Sequence, residues 1–343
     1  MKKYLEEKYP IFFIAAFIGL LLLPLRGTGL NIQTLDESFY SRERLITFAN
    51  DFRILIGDRV FPNVLIGPNH WLVFTAEHSL DDYQNTIPLS DGDLSLIQKS
   101  LDEFNMSLRE RGITLLVVIP PDKNTIYPEY VPEGIPVIGQ ESRLDQLINF
   151  MNTNGQTRIL DLRPALLQAK QTKQIYYTTD THWNELGMFI GYREIMTALE
   201  SYYPQLKPLP ESDFRLSSPR KENLDLAQNI GTDLFPENVV ILQPQFNSNI
   251  TFKTFAVGQR KVILSYNPNS SLPKAVIYHD SFFFTMIPLL SEHFSHAVYV
   301  QNYLGGGLWN TSWVDEEKPD IVIIEFTERY LQGIPTLLKK GNQ

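Results

Sequence analysis

Two short strings about a hundred residues apart hold side chains that could do chemistry together: Asp180-Thr181-His182-Trp183 and His279-Asp280-Ser281-Phe282. The first offers a carboxylate and an imidazole two positions apart, which point the same way on an extended segment. The second places a serine where the apolar run Lys274–Tyr278 gives way to a helix-like run from Phe282 to Phe294. A serine at such a turn sits beside the unpaired N–H groups of the first helical turn, that of Phe282 among them. Those donors are what an oxyanion needs during acyl transfer. Ser281 then reads as nucleophile, His182 as base and Asp180 as the carboxylate that sets the imidazole tautomer. Each string alone has a plainer reading, since Asp180 and Thr181 also suit the N-cap of a helix starting near Asn184.

Further candidates follow from position. Lys123 and Tyr127 stand just beyond a buried strand, where α/β sheets place their ligands. Arg329 follows the last strand, and Glu325 lies inside it. A charged group there needs a partner, so a Glu325–Arg329 or Glu325–Lys123 pair is expected. The loop Asn302-Tyr-Leu-Gly-Gly-Gly-Leu-Trp309 could bring the Asn302 amide or backbone N–H groups to an oxyanion. Tyr303, Trp309 and Trp313 could stack on sugar rings or pack at the core rim. The loop is no phosphate cradle, because the flanking strand, helix and lysine are missing. The chemistry calls for no cofactor and no metal, and no ligand cluster stands out beyond the triad.

The surrounding pattern alternates strands and helices. Residues 94–111 read as an amphipathic helix with Leu94, Ile97, Leu101, Phe104 and Leu108 on one face, and Gly112 as its stop. Ile113–Ile119 follows as a continuous apolar strand, the kind buried on both faces of a parallel sheet. Then come a helix at 142–154, a strand at 158–161, a helix at 163–171 and a long helix at 184–203. The inward residues of that last helix are Leu186, Phe189, Ile190, Ile195, Leu199 and Tyr202. Strands at 275–278, 297–300 and 321–326 complete an α/β sandwich around a mostly parallel sheet. Val64–Phe74 reads as a hairpin turning at Gly67-Pro68-Asn69. Residues 204–273 are rich in Pro, Asn and Ser and read as an irregular insertion containing short strands.

Composition narrows the classes. Of the 343 residues, 43% are hydrophobic and 12% aromatic, as in a globular core. The net charge of −9 argues against nucleic acid as a partner. The absence of cysteine removes thiol nucleophiles, disulfides and cysteine-based zinc sites. Lys2, Lys3 and Lys8 precede the uncharged run Ile11–Leu25, after which no small-residue cleavage site appears. This predicts a single N-terminal transmembrane helix that anchors the chain, with the lysines inside and the remainder exported. The expected organisation is an anchor at 1–30, a lead-in segment with an amphipathic helix at 31–60, and a catalytic domain at 61–338 with its insertion at about 204–273.

Taken together, the order of these elements resembles the AlgX/AlgJ group of SGNH-hydrolase-like proteins, the alginate O-acetyltransferase family. The resemblance runs over about residues 60 to 335. It is carried by Gly67–Phe74, Arg111–Pro128, Asp180-Thr-His-Trp-Asn184, Asp280-Ser-Phe282 and Lys318–Leu331. Ordinary SGNH enzymes have the serine early and the Asp/His pair late; here the order is reversed, as in the circularly permuted AlgX-like branch. The chain departs from the pattern at His279, where a glycine is usual. The resemblance implies an SGNH-like α/β/α sandwich and a catalytic Asp180, His182 and Ser281. It also implies a periplasmic O-acetyltransferase that modifies a polysaccharide acceptor, with a separate multipass membrane acyltransferase supplying the acetyl group. A carbohydrate esterase with the same triad, and a catalytically silent binding scaffold, are the alternatives. An active-site serine probe separates the scaffold from the enzymes.

Overall fold

Apolar runs without alternation become the strands of one sheet, because both of its faces are covered. The computed structural model describes residues 18–19, 42–258, 260–301 and 312–334. The chain divides into two units. The smaller holds the helix Arg42–Leu55 and the segment Ile230–Leu234, joined by Asn50 Nδ2 donating to Ile230 O at 2.6 Å and by Thr232 Oγ1 donating to Asp51.

The larger unit is built on seven strands: β1 (Thr114–Ile119), β2 (Ile159–Asp161), β3 (Thr251–Val257), β4 (Arg260–Tyr266), β5 (Lys274–His279), β6 (His296–Gln301) and β7 (Ile321–Glu325). Their order across the sheet is β3-β4-β6-β5-β7-β1-β2. The five from β6 to β2 run parallel. β3 and β4 extend one edge as an antiparallel pair. Residues 251–266, read from composition as part of an insertion, therefore belong to the main sheet. The rest of that stretch holds a short helix, Asp225–Ile230, and two small ribbons, Phe214–Leu216 with Leu242–Pro244 and Arg220–Glu222 with Glu237–Val239.

Alternate residues of each strand enter opposite cores. Leu116, Val118, Ala275, Ile277, Ile321 and Ile323 face one cluster. Leu115, Val117, Ile119, Val276, Tyr278, Val322 and Ile324 face the other. Helices α1 (Asp91–Arg109) and α2 (Arg143–Asn154) cover the second cluster, each opened by a reciprocal cap, Ser90 with Asp93 and Ser142 with Asp145. Helices α3 (Arg163–Lys170) and α4 (Glu185–Glu200) cover the first. Phe189, Ile195 and Leu199 of α4 are buried as expected, whereas Tyr202 lies beyond the helix end and is 54% exposed. The hairpin Val64–Ile66 with Leu72–Phe74 forms as read, and Val60–Phe61 adds a third strand.

The run Ile11–Leu25, expected to anchor the chain, lies outside the described residues apart from Ile18 and Gly19. Among the described residues no helix is long and apolar enough to cross a membrane.

Candidate active site

The serine stands past the carboxyl end of β5, the central strand of the seven, where open α/β sheets gather their sites. Asp280 turns the chain. Its Oδ1 accepts from the Phe282 N–H at 2.9 Å and caps a 3₁₀ turn, Ser281–Met286, that leads into a short helix, Ile287–Ser291. Its Oδ2 accepts from Thr327 N at 2.8 Å and Thr327 Oγ1 at 2.7 Å, and its own N–H donates to Glu325 Oε2 at 2.8 Å. The turn is thus pinned to the end of the neighbouring β7.

Three expectations change here. The helix-like run is a 3₁₀ turn followed by a helix. The Phe282 N–H, read as an oxyanion donor, is engaged by the Asp280 carboxylate. Glu325 pairs with neither Arg329 nor Lys123. Burial pushes its carboxyl well above the usual range, and as a neutral acid it accepts from the Asp280 amide. His279, where SGNH proteins have glycine, ends a regular strand without a positive φ, so no glycine is required. Its ring is buried against Phe283, Phe284 and Tyr299, and burial lowers its pKa to about 4.

The histidine comes from the loop before α4. Asp180 Oδ1 lies 2.6 Å from His182 Nδ1 and also accepts from the His182 N–H at 2.9 Å. His182 Nε2 lies 2.8 Å from Ser281 Oγ. A carboxylate can only accept, so the Nδ1 proton belongs to this bond and Nε2 is left to accept from the serine hydroxyl. Burial disfavours charge on His182, but the Asp180 carboxylate outweighs it and holds the pKa above the ordinary value, with Asp225 adding to the effect. Burial likewise opposes the charge on Asp180, and its bonds to His182 reverse the balance and lower its pKa. The cap of α4 is Asn184, whose side chain accepts from Leu186 N and Gly187 N, so Asp180 and Thr181 are free for the loop.

The two strings meet through Trp183. Its Nε1 donates to Phe282 O at 3.1 Å, and its ring meets the Phe282 ring edge-on. Gly187 and Gly191 make room. A Cβ on Gly187 would come within 2.1 Å of Ile175 O, and one on Gly191 within 3.0 Å of the indole.

Long-range polar contacts hold the loop. Lys123 Nζ donates to the carbonyls of Tyr177, Thr178 and Asp180 at 3.3, 3.1 and 2.6 Å. Burial brings its pKa down to about 8, against the pull of Asp180. Glu237 accepts from Thr178 N, Thr179 N and Thr179 Oγ1, each at 2.8 Å. Asp225 accepts from Thr181 N at 3.0 Å and Thr181 Oγ1 at 2.8 Å, and lies 3.9 Å from His182 Nδ1. Sequence reasoning singled out neither acid, because both lie in the Pro- and Asn-rich stretch that carries no periodic signal.

An open cleft of about 290 Å³ exposes His182 and Ser281, with Glu77, Asp225, Asp280, Arg329 and Tyr330 in its wall. Of the secondary candidates, Arg329 therefore reaches the site, although its Nη2 is held by Asp122 at 2.9 Å. Lys123 supports the loop from beneath. Tyr127 is a core residue whose hydroxyl accepts from Ile175 N at 3.0 Å. Asn302 and Trp309 lie outside the described residues, and Trp313 packs at the edge of the second core cluster. Among the described residues, Asp180, His182 and Asp225 form one group whose spacing could hold a metal ion, with a ligand atom from each within 4.8 Å. The 2.6 Å bond between Asp180 and His182 already places a proton in that group.

A family model described as the SGNH hydrolase-like domain of acetyltransferase AlgX matches residues 64–261. The chain belongs to this family. The match takes in Asp180 and His182 and ends before Ser281. Proteins named probable alginate O-acetylase AlgJ are similar to it. That of Pseudomonas syringae pv. tomato is 28% identical over 156 residues, 46% of this chain and 38% of the relative. That of Pseudomonas fluorescens is 24% identical over 299 residues, covering 82% and 71%. The match thus spans well under half the length of the first of these relatives. Among solved structures, Bacillus cereus PatB1 with a sulfonyl adduct aligns with a TM-score of 0.60 at 16% identity, covering 79% of this chain and 95% of that one. The O-acetyltransferase domain of Pseudomonas putida AlgJ aligns with a TM-score of 0.53 at 19% identity, covering 81% and 99%. Both show the shared SGNH-hydrolase-like α/β fold with its mostly parallel sheet.

Proposed function

We propose that this AlgX-family chain is a serine-dependent O-acetyltransferase that acetylates hydroxyls of an exported polysaccharide. The observation that carries the reading is the unbroken relay Asp180–His182–Ser281, with links of 2.6 and 2.8 Å, opening on a cleft. The relatives' names supply the acyl group and the polysaccharide acceptor.

In this reaction Ser281 Oγ attacks the acetyl carbonyl of the donor while His182 Nε2 takes the hydroxyl proton. Collapse of the tetrahedral adduct breaks the bond to the donor's leaving group, which receives that proton, and leaves acetyl-Ser281. A sugar hydroxyl then gives its proton to His182 and attacks the acetyl carbonyl. Collapse forms the sugar ester and returns the proton to Ser281 Oγ. Asp180 holds the Nδ1 proton throughout and stabilises the imidazolium. The apolar run Ile11–Leu25 would tether the chain on the extracytoplasmic side of a membrane, and a multipass membrane acyltransferase would deliver the acetyl group.

The test is incubation with p-nitrophenyl acetate and an oligosaccharide acceptor, followed by mass spectrometry. An acetyl mass on the sugar, absent with Ser281→Ala and His182→Ala, supports transfer. Serine-dependent acetate release with no sugar adduct moves the reading to an esterase, and failure of Ser281 to label with a fluorophosphonate moves it to a scaffold.

A further inference from the structure

The walls of the cleft differ in charge from what a polyanionic acceptor needs. Three carboxylates line it, Glu77, Asp225 and Asp280, against one guanidinium, Arg329. Arg329 is 5% exposed. Its Nη2 is held 2.9 Å from Asp122, and its face is covered by the rings of Phe74, Phe282 and Tyr330. Its Nη2 is thus paired within the protein and little of the side chain is open to an incoming anion, although Nε has no partner. The acids are placed the other way. The side chain of Asp225 is 41% exposed, 3.9 Å from the base. Glu77 is exposed at the rim, on a backbone with φ +53, and accepts from Tyr330 Oη at 2.5 Å.

On the reading that Ser281 acylates a sugar, we infer that the cleft selects a neutral sugar unit and disfavours one bearing a carboxylate, with Glu77 and Asp225 as the specificity-determining residues. Like charges brought together in a half-desolvated cleft oppose binding, and the opposition weakens as salt screens it. The acceptor would then differ in charge class from the uronate polymer that gives the AlgJ relatives their name.

The test uses the full chain and two hexasaccharides that differ only at C6, β-1,4-mannohexaose and β-1,4-mannuronate hexamer. Binding of each to the Ser281→Ala variant is measured by calorimetry at low and high salt, with and without Glu77→Gln. The expected result is a dissociation constant about tenfold or more lower for the neutral sugar at low salt, with the gap narrowing at high salt and in Glu77→Gln. Equal or tighter binding of the uronate at low salt, or binding of neither sugar, overturns the inference. A parallel run of wild type with p-nitrophenyl acetate reports separately on transfer. Neutral-sugar binding without any acetylated product would sink the transferase reading and leave the charge preference standing.

Discussion

The serine turn and the histidine loop present the two halves of one relay, and they are held in different ways. Ser281 is separated by one residue from a core strand, so its position is set by backbone pairing of β5 with β6 and β7 and by the acid that precedes it, Asp280. His182 lies on a segment without regular structure, held by Lys123, Glu237 and Asp225 from elements 44 to 59 residues distant. On the proposed mechanism the nucleophile is placed by the sheet itself, whereas its base needs buried polar partners that each must be satisfied. The loop is the half more open to disruption from a distance.

The largest expected effect falls on both halves alike. Ser281→Ala and His182→Ala should each lower turnover of p-nitrophenyl acetate by about 10³-fold or more, with melting temperatures near wild type. Loss of folding in either variant would show that the relay also stabilises the domain.

Removing the ammonium under the loop should separate the two. Lys123→Met leaves the carbonyls of Tyr177 and Asp180 without a donor in a buried place, while Thr178 O keeps the Leu72 N–H, which costs about 3 kcal/mol. Chemical denaturation measures that loss. A labelling rate of Ser281 that falls with it would show the histidine side failing first.

Asp225 offers a finer cut. On the proposed mechanism the neutral imidazole is the active base, so the rate should fall as pH drops through a His182 pKa that lies above the ordinary histidine value. Asp225 helps to raise that pKa. Asp225→Asn should therefore shift the acid limb of the rate profile toward lower pH, and an unmoved limb would remove Asp225 from the electrostatics of the base.

The smallest effect is expected on the serine side. Glu325 is held neutral by burial and accepts from the Asp280 amide. Glu325→Gln keeps that acceptor and should change stability by less than about 1 kcal/mol, whereas Glu325→Leu orphans the amide and should cost about 1–3 kcal/mol. Equal losses in the two variants would mean that Glu325 carries a charge after all.

What the chain alone determined follows from local rules. Apolar runs such as Ile113–Ile119 and Ile321–Phe326 read as buried strands, the amphipathic run at 94–111 as a helix stopped at Gly112, and Asp180, His182 and Ser281 stood in strings whose spacing suits a relay. Periodicity and capping act over a few residues, so they can be read in order along the chain. The oxyanion candidate Phe282, the Glu325 ion pair and the place of residues 251–266 went the other way, because each depends on which group the fold brings near. Asp280 reaches its partners Glu325 and Thr327 across β5 and β7, 45 and 47 residues on. Asp225 and Glu237 reach the histidine loop from a stretch with no pattern to mark them. Such partners are chosen by burial, where a polar group must find a mate in three dimensions, and a mate that far along the chain leaves no spacing to read.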